Sequence, residues 1–126
     1  MKEQEFRGIR KSLGKTQKEM AQLLGVSLKA VHSYEQGWRR VPIAVERQMY
    51  FLLSRKAAAT NRTRPCWKIR KCGTAAKRHC PAWEFRTGDL CWFINGTVCK
   101  GQAQKDWREK MNLCRSCEVF RSQLAR

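Results

Sequence analysis

The sequence predicts a mainly α chain: a four-helix domain, then a small α+β domain made of a hairpin and a C-terminal helix. Three observations predict it. Apolar residues recur at three- and four-residue steps through the first 55 positions, with single glycines between the runs. All seven cysteines, and four of the five tryptophans, lie beyond residue 65. Between these regions, Arg55 to Pro65 is basic and lacks apolar periodicity, as expected of a helix tail running into a linker. The 126 residues therefore divide into a domain at 1–55, a linker at 56–65 and a cysteine-rich domain at 66–126.

The first helix carries Phe6, Ile9 and Leu13 on one face and stops at Gly14. Thr16-Gln17-Lys18-Glu19 then has the form of a capping box, in which the Thr16 hydroxyl and the Glu19 carboxylate each accept an amide of the other residue. Met20, Ala21, Leu23 and Leu24 make the apolar side of the second helix, and Gly25 permits the left-handed turn after it. Ser27 caps a third helix over 27–36, with Val31 and Tyr34 inward, and Gly37 closes it. Pro42 opens a fourth helix, where a missing N–H costs nothing, and Val45, Met49 and Leu52 form its inward stripe. Ala21, Gly25 and Val31 are small, flexible and branched in turn. Those are the residue types needed where two helices meet closely around a short turn.

Thr16-Gln17-Lys18-Glu19-Met20-Ala21, Gly25-Val26-Ser27, Val31, Tyr34-Glu35-Gln36-Gly37 and Pro42 together resemble the Cro/phage-repressor helix-turn-helix, or xenobiotic-response-element, family of regulators. The resemblance covers about residues 3–55. It implies that the third helix enters the DNA major groove and meets base edges with Ser27, Leu28, Lys29, Ala30, His32 and Ser33. Lys29 is the leading hydrogen-bond donor there, and Leu28 or Ala30 suits a thymine methyl. Gln17 is placed where the family holds a phosphate. Arg39 and Arg40 in the following loop are expected to add phosphate contacts, which position without reading sequence. Glu35 is read as a structural acid tying its helix to a neighbouring backbone or basic group.

Charge points to the same partner. Lys and Arg number 27 against 10 Asp and Glu, a formal net charge of +17, and both halves are basic. Double-stranded DNA is the expected partner, bound by a homodimer on a two-fold site. The N-terminus is polar and no apolar run approaches the ~20 residues of a membrane span, so a cytoplasmic, membrane-free protein is expected. No acid–base pair, nucleophile elbow or phosphate loop appears, and an enzyme is not expected.

In a reducing compartment, clustered cysteines point to metal or redox chemistry instead of a disulfide framework, and seven cannot all pair within one chain. Cys66, Cys72, Cys80, Cys91, Cys99, Cys114 and Cys117 are all candidate ligands, with Cys114 and Cys117 first and Cys80 next. Asn95-Gly96 between Leu90–Ile94 and Thr97–Cys99 predicts a hairpin that brings Cys91 and Cys99 onto paired strands. Residues 103–125 read as one helix, with Trp107, Met111, Cys114, Cys117, Phe120 and Leu124 on its inner face. The seven cysteines, the two Cys-Trp pairs, Pro81 and Gly96-Thr97 resemble the cysteine-rich "two-CW" domain attached to bacterial regulators, which implies an architecture more than a mechanism.

An iron–sulfur cluster is the first expectation for these thiols. Their spacing is uneven, seven exceeds one zinc's four, and Cys80-Pro81 fits a cluster ligand. Structural zinc is the alternative, and a metal-free set of buried or switchable thiols is the third. The expected protein is a sequence-specific transcription regulator whose cysteine domain senses redox state, oxygen or metal. The competing expectation is a purely structural zinc or thiol domain used for dimerisation or partner docking.

Overall fold

The computed structural model describes residues 1–60, 65–69, 71–74, 77, 79–88, 90–94, 98–99 and 102–124. The chain divides into two compact units, with the boundary between Lys56 and Ala57.

The first unit holds α1 (Glu3–Ser12), α2 (Gln17–Leu24), α3 (Leu28–Gln36) and most of α4 (Ile43–Thr60). Acids open α1 and bases close it, complementing the helix dipole. The capping box before α2 forms as its residues predict. Thr16 Oγ1 accepts from the Glu19 amide at 3.1 Å, and Glu19 Oε1 accepts from the Thr16 amide at 3.0 Å. The second of these bonds, from the backbone of Thr16, holds the Glu19 carboxyl below its ordinary range. Gly25 ends α2 at φ 68°, a conformation that a side chain would strain. Ser27 caps α3 through its hydroxyl, which accepts from the Ala30 amide at 3.0 Å.

Phe6, Ile9, Met20, Val31 and Met49 are fully buried between these helices. The inward stripe of α4 is Val45, Met49 and Leu53, a clean four-residue step, while Leu52 is only half-buried. Pro42 stands just before α4, and its carbonyl accepts the Glu46 amide at 2.9 Å. α4 continues to Thr60 and so takes up the first half of the expected linker.

The second unit departs further from expectation. Its described elements are α5 (Cys66–Ile69), α6 (Pro81–Glu84), a 3-10 turn (Cys91–Phe93), β1 (Val98–Cys99), β2 (Gln102–Ala103), α7 (Trp107–Cys114) and α8 (Glu118–Gln123). The hairpin expected from Leu90–Ile94 and Thr97–Cys99 does not form. Cys91 and Trp92 are consecutive and both buried, at 8% and 0% exposure. Neighbouring strand residues point to opposite faces, whereas a tight 3-10 turn can sink both inward. Asn95-Gly96 itself lies outside the described residues. Val98 and Cys99 instead pair antiparallel with Ala103 and Gln102 in a two-residue ladder.

The helix expected over 103–125 is two helices. Asp106 caps α7 by accepting the Glu109 amide at 2.9 Å, which delays the start. Beyond α7, Ser116 Oγ donates to the Leu113 carbonyl at 3.1 Å, and Cys117 leaves the helical conformation at φ −83°, ψ 132°. A side chain that bonds a local carbonyl competes with the helix ladder at such a point.

Candidate nucleic-acid interface and cysteine cavity

The outward side of α3 exposes Leu28, Lys29 and His32 beside the exposed cap Ser27. Leu28 is 49% exposed, a large apolar residue left in solvent at the helix start. Two expected base readers are not there. Ala30 and Ser33 are 5% and 7% exposed and face the core, because they share the helical side of Val31 and Tyr34. Gln17 is half-buried at the start of α2, and Arg39 and Arg40 are exposed after α3.

Trp38 was not among the expected contacts. It is 71% exposed and stacks edge-on against His32, with ring centroids 5.4 Å apart. Arg39 lies over the Tyr34 ring at 5.7 Å. An exposed tryptophan leading two arginines was the available signal in the sequence. The arrangement presents hydrogen-bond donors, an apolar tip and cations together, as groove contact and phosphate contact require.

Glu35 fixes this helix. Its carboxylate is 2% exposed and accepts from Arg10 Nε and Nη2, both at 2.9 Å. Its carbonyl accepts from Arg7 Nη2 at 2.7 Å. Arg10 also donates to the Lys15 carbonyl at 2.9 Å, so one guanidinium ties α3 to the α1–α2 turn.

Residues 6–44 match a helix-turn-helix family model. The matched segment is similar to helix-turn-helix domains of the Cro/phage-repressor type. The family is one of DNA-binding regulators. The match stops within α4 and leaves the cysteine-rich half unassigned. Neither the curated proteins nor the solved structures gave a match to the chain. No helix among the described residues is long and apolar enough to cross a membrane.

The second unit gathers five of the seven cysteines. Cys66, Cys91, Cys99, Cys114 and Cys117 line one cavity of about 20 Å³, with Lys110 in the same wall. Leu113, Val119 and Phe120 supply its apolar surface. Cys72 and Cys80 are not part of this lining, although Cys80 packs against the neighbouring Ala82, Cys91 and Val119 cluster. Thus Cys114 and Cys117 both line the cavity even though their helix is broken, while Cys80 lies against the adjoining cluster. All seven are in the thiol form.

Lys110 is 2% exposed, a buried cation among thiols. The Cys91 thiol donates to Cys66, and this bond is the main cause holding Cys66 below the ordinary thiol range; the amides of Trp67 and Cys66 and the charge of Lys110 help. The same bond, with burial, pushes Cys91 well above that range. Among the described residues, no three His, Cys, Asp or Glu side chains already stand in a metal-holding arrangement. The space suits one body about the size of a water molecule.

Gly88 positions Cys66. Its carbonyl accepts the Cys66 amide at 2.9 Å and the buried Gln123 Nε2 at 2.6 Å. A Cβ at Gly88 would come within 2.7 Å of both Pro65 Cβ and Trp67 Cζ3. Gly88→Ala is therefore expected to cost about 1–3 kcal/mol by overpacking. It should also displace Cys66, read as faster alkylation of that thiol. Unchanged stability and unchanged alkylation would count against this role.

Proposed function

We propose that the protein is a sequence-specific transcription regulator that binds operator DNA as a homodimer, with its cysteine unit supplying a redox or metal input. The observation that carries the DNA reading is the exposed face of α3, where Ser27, Leu28, Lys29 and His32 stand beside Trp38, Arg39 and Arg40 within a matched helix-turn-helix. The net charge of +17 supports a polyanionic partner. The five-thiol cavity with its buried lysine supports an input, because charge or ligation changes there act inside a small core. A coupling of about 1–3 kcal/mol would alter operator affinity ~5–150-fold.

Selection from random duplexes should yield a two-fold symmetric site. On that site Lys29→Ala is expected to cost about 1–3 kcal/mol, with a smaller loss on unrelated duplex. Equal losses on both would make Lys29 a phosphate contact and remove it from base reading. Operator affinity should differ between reduced, oxidised and chelator-treated protein; the same affinity in all three would overturn the input role.

A structural, dimerising role for the cysteine unit is the second reading. It is favoured by one observation: among the described residues no three ligand-type side chains are placed so that they could hold a metal ion.

A further inference from the structure

Cys66 and Cys91 are distant in the sequence and adjacent in the fold. Cys66 opens α5, and Cys91 opens the 3-10 turn. Two separate contacts hold them together. The Gly88 carbonyl, shortly before Cys91, accepts the Cys66 amide at 2.9 Å and ties the two stretches of backbone. The Cys91 thiol donates to the Cys66 sulfur in the cavity that both residues line. Cys66 also packs against the apolar cluster of Ala82, Cys91 and Val119.

Their surroundings differ as a reactive pair requires. Cys66 is half-buried and Cys91 is buried. Cys66 is therefore the sulfur that a solute meets first, and Cys91 stands behind it. Cys66 is also the accepting sulfur of the bond between them, the role that suits the thiolate. A partly accessible thiolate with a second cysteine against it is the arrangement of a redox-sensing cysteine and its resolving partner. A covalent bond needs the two sulfurs to close from hydrogen-bonding contact to ~2.0 Å, and their backbones are already tied. The space beside them, about 20 Å³, selects the oxidant by size. Hydrogen peroxide needs little more room than water, whereas a bulky disulfide such as oxidised glutathione needs far more.

We propose that Cys66 and Cys91 are a peroxide-reactive pair that closes to an intramolecular disulfide, with Cys66 the attacking sulfur and Cys91 the resolving one. The Cys66 thiolate attacks one oxygen of hydrogen peroxide. The S–O bond forms, the O–O bond breaks, and the hydroxide that leaves is protonated to water. The Cys91 sulfur then attacks the sulfur of the Cys66 sulfenic acid. The S–S bond forms, the S–O bond breaks, and the departing hydroxide takes the Cys91 proton to become a second water. The pair has lost two electrons and the peroxide has gained them. A dithiol reductant restores both thiols by exchange. This inference names the redox chemistry of the cavity read above as the input and rests on that reading of the thiols.

The test uses the full chain, reduced, treated with chelator and desalted, then exposed to a slight excess of hydrogen peroxide. Remaining thiols are alkylated, and the unreduced digest is read by mass spectrometry. The expected product is a peptide pair joined through Cys66 and Cys91, lighter by two hydrogens, with the other cysteines alkylated. Dithiothreitol should return both thiols. The chain unfolded in urea should lose this preference and give mixed pairs. Cys91→Ser should stop the reaction at the Cys66 sulfenic acid, trapped by dimedone, and Cys66→Ser should leave Cys91 reduced.

A linkage between Cys114 and Cys117 in place of this pair, a disulfide between chains, first trapping by dimedone at another cysteine, or recovery of every thiol after peroxide would each overturn the proposal. The wild-type linkage carries the result even if a cysteine variant fails to fold. These readouts need no DNA. A missing linkage sinks the pair whatever the operator response, and a linkage that leaves operator affinity unchanged sinks the input reading while upholding the pair.

Discussion

Glu35→Ala is expected to destabilise the N-terminal unit by about 3–5 kcal/mol, the cost of removing one partner from a buried ion pair. Glu35 is 2% exposed, and Arg10 meets it through two 2.9 Å bonds. Deleting the carboxylate leaves the Arg10 guanidinium, itself only 15% exposed, facing a space that water cannot properly fill. Arg7 contributes less. Its side chain is 42% exposed and its ion-pair distance is 3.7 Å, so solvent screens it. A domain of this size has about 5–15 kcal/mol in all, so the predicted loss removes a large share of its stability. Urea titration followed by circular dichroism would measure it. The reasoning also predicts that Glu35→Leu combined with Arg10→Met is milder than Glu35→Ala alone, because no buried charge is stranded. A loss below about 1 kcal/mol for Glu35→Ala would show that the pair is a surface bridge in energetic terms. Operator binding should fall with stability, since the pair sets α3 against α1.

How much could be read from the sequence depended on distance along the chain. The α2–α3 unit was legible because its determinants are local. Thr16, Ser27 and Gly25 act on backbone groups within three or four positions of themselves. Glu35 was recognisable as a structural acid, but Arg10, 25 residues earlier, was not recognisable as its partner. Ala30 and Ser33 were placed outward because small and polar residues carry no burial signal of their own, and only the packed helix shows their side.

The cysteine unit was harder for a physical reason. An apolar run such as Leu90–Ile94 does not distinguish a strand from a buried turn. Periodicity continues across the break at Arg115 and Ser116, because both helices bury their faces in the same core. The cavity could be anticipated in its chemistry, from seven thiols, but not in its membership. Cys66 and Cys91 join it through the Gly88 carbonyl and the 3-10 turn, neither of which has a spacing signature.

Trp92→Ala is expected to cost the second unit about 3–5 kcal/mol, as large-to-small changes of fully buried aromatics do. Trp92 is 0% exposed and sits edge-on to three rings: Phe93 at 5.8 Å, Phe120 at 6.0 Å and Trp107 at 6.5 Å. It therefore joins the 3-10 turn to α7 and α8 at once. Aromatic pairs of this geometry each add about 0.5–1.5 kcal/mol beyond burial, so the cavity left by alanine forfeits more than transfer energy. Cys91, the adjacent residue, should lose its place in the thiol cavity. Faster alkylation of Cys91 and weaker near-ultraviolet circular dichroism are the expected readouts. Trp92→Phe retains a ring and should cost distinctly less. The helix-turn-helix segment should keep its helical signal and its affinity for random duplex, because Trp92 belongs to the other unit. If Trp92→Ala left Cys91 protected and the spectrum intact, the ring cluster would not be what holds the cysteine cavity together.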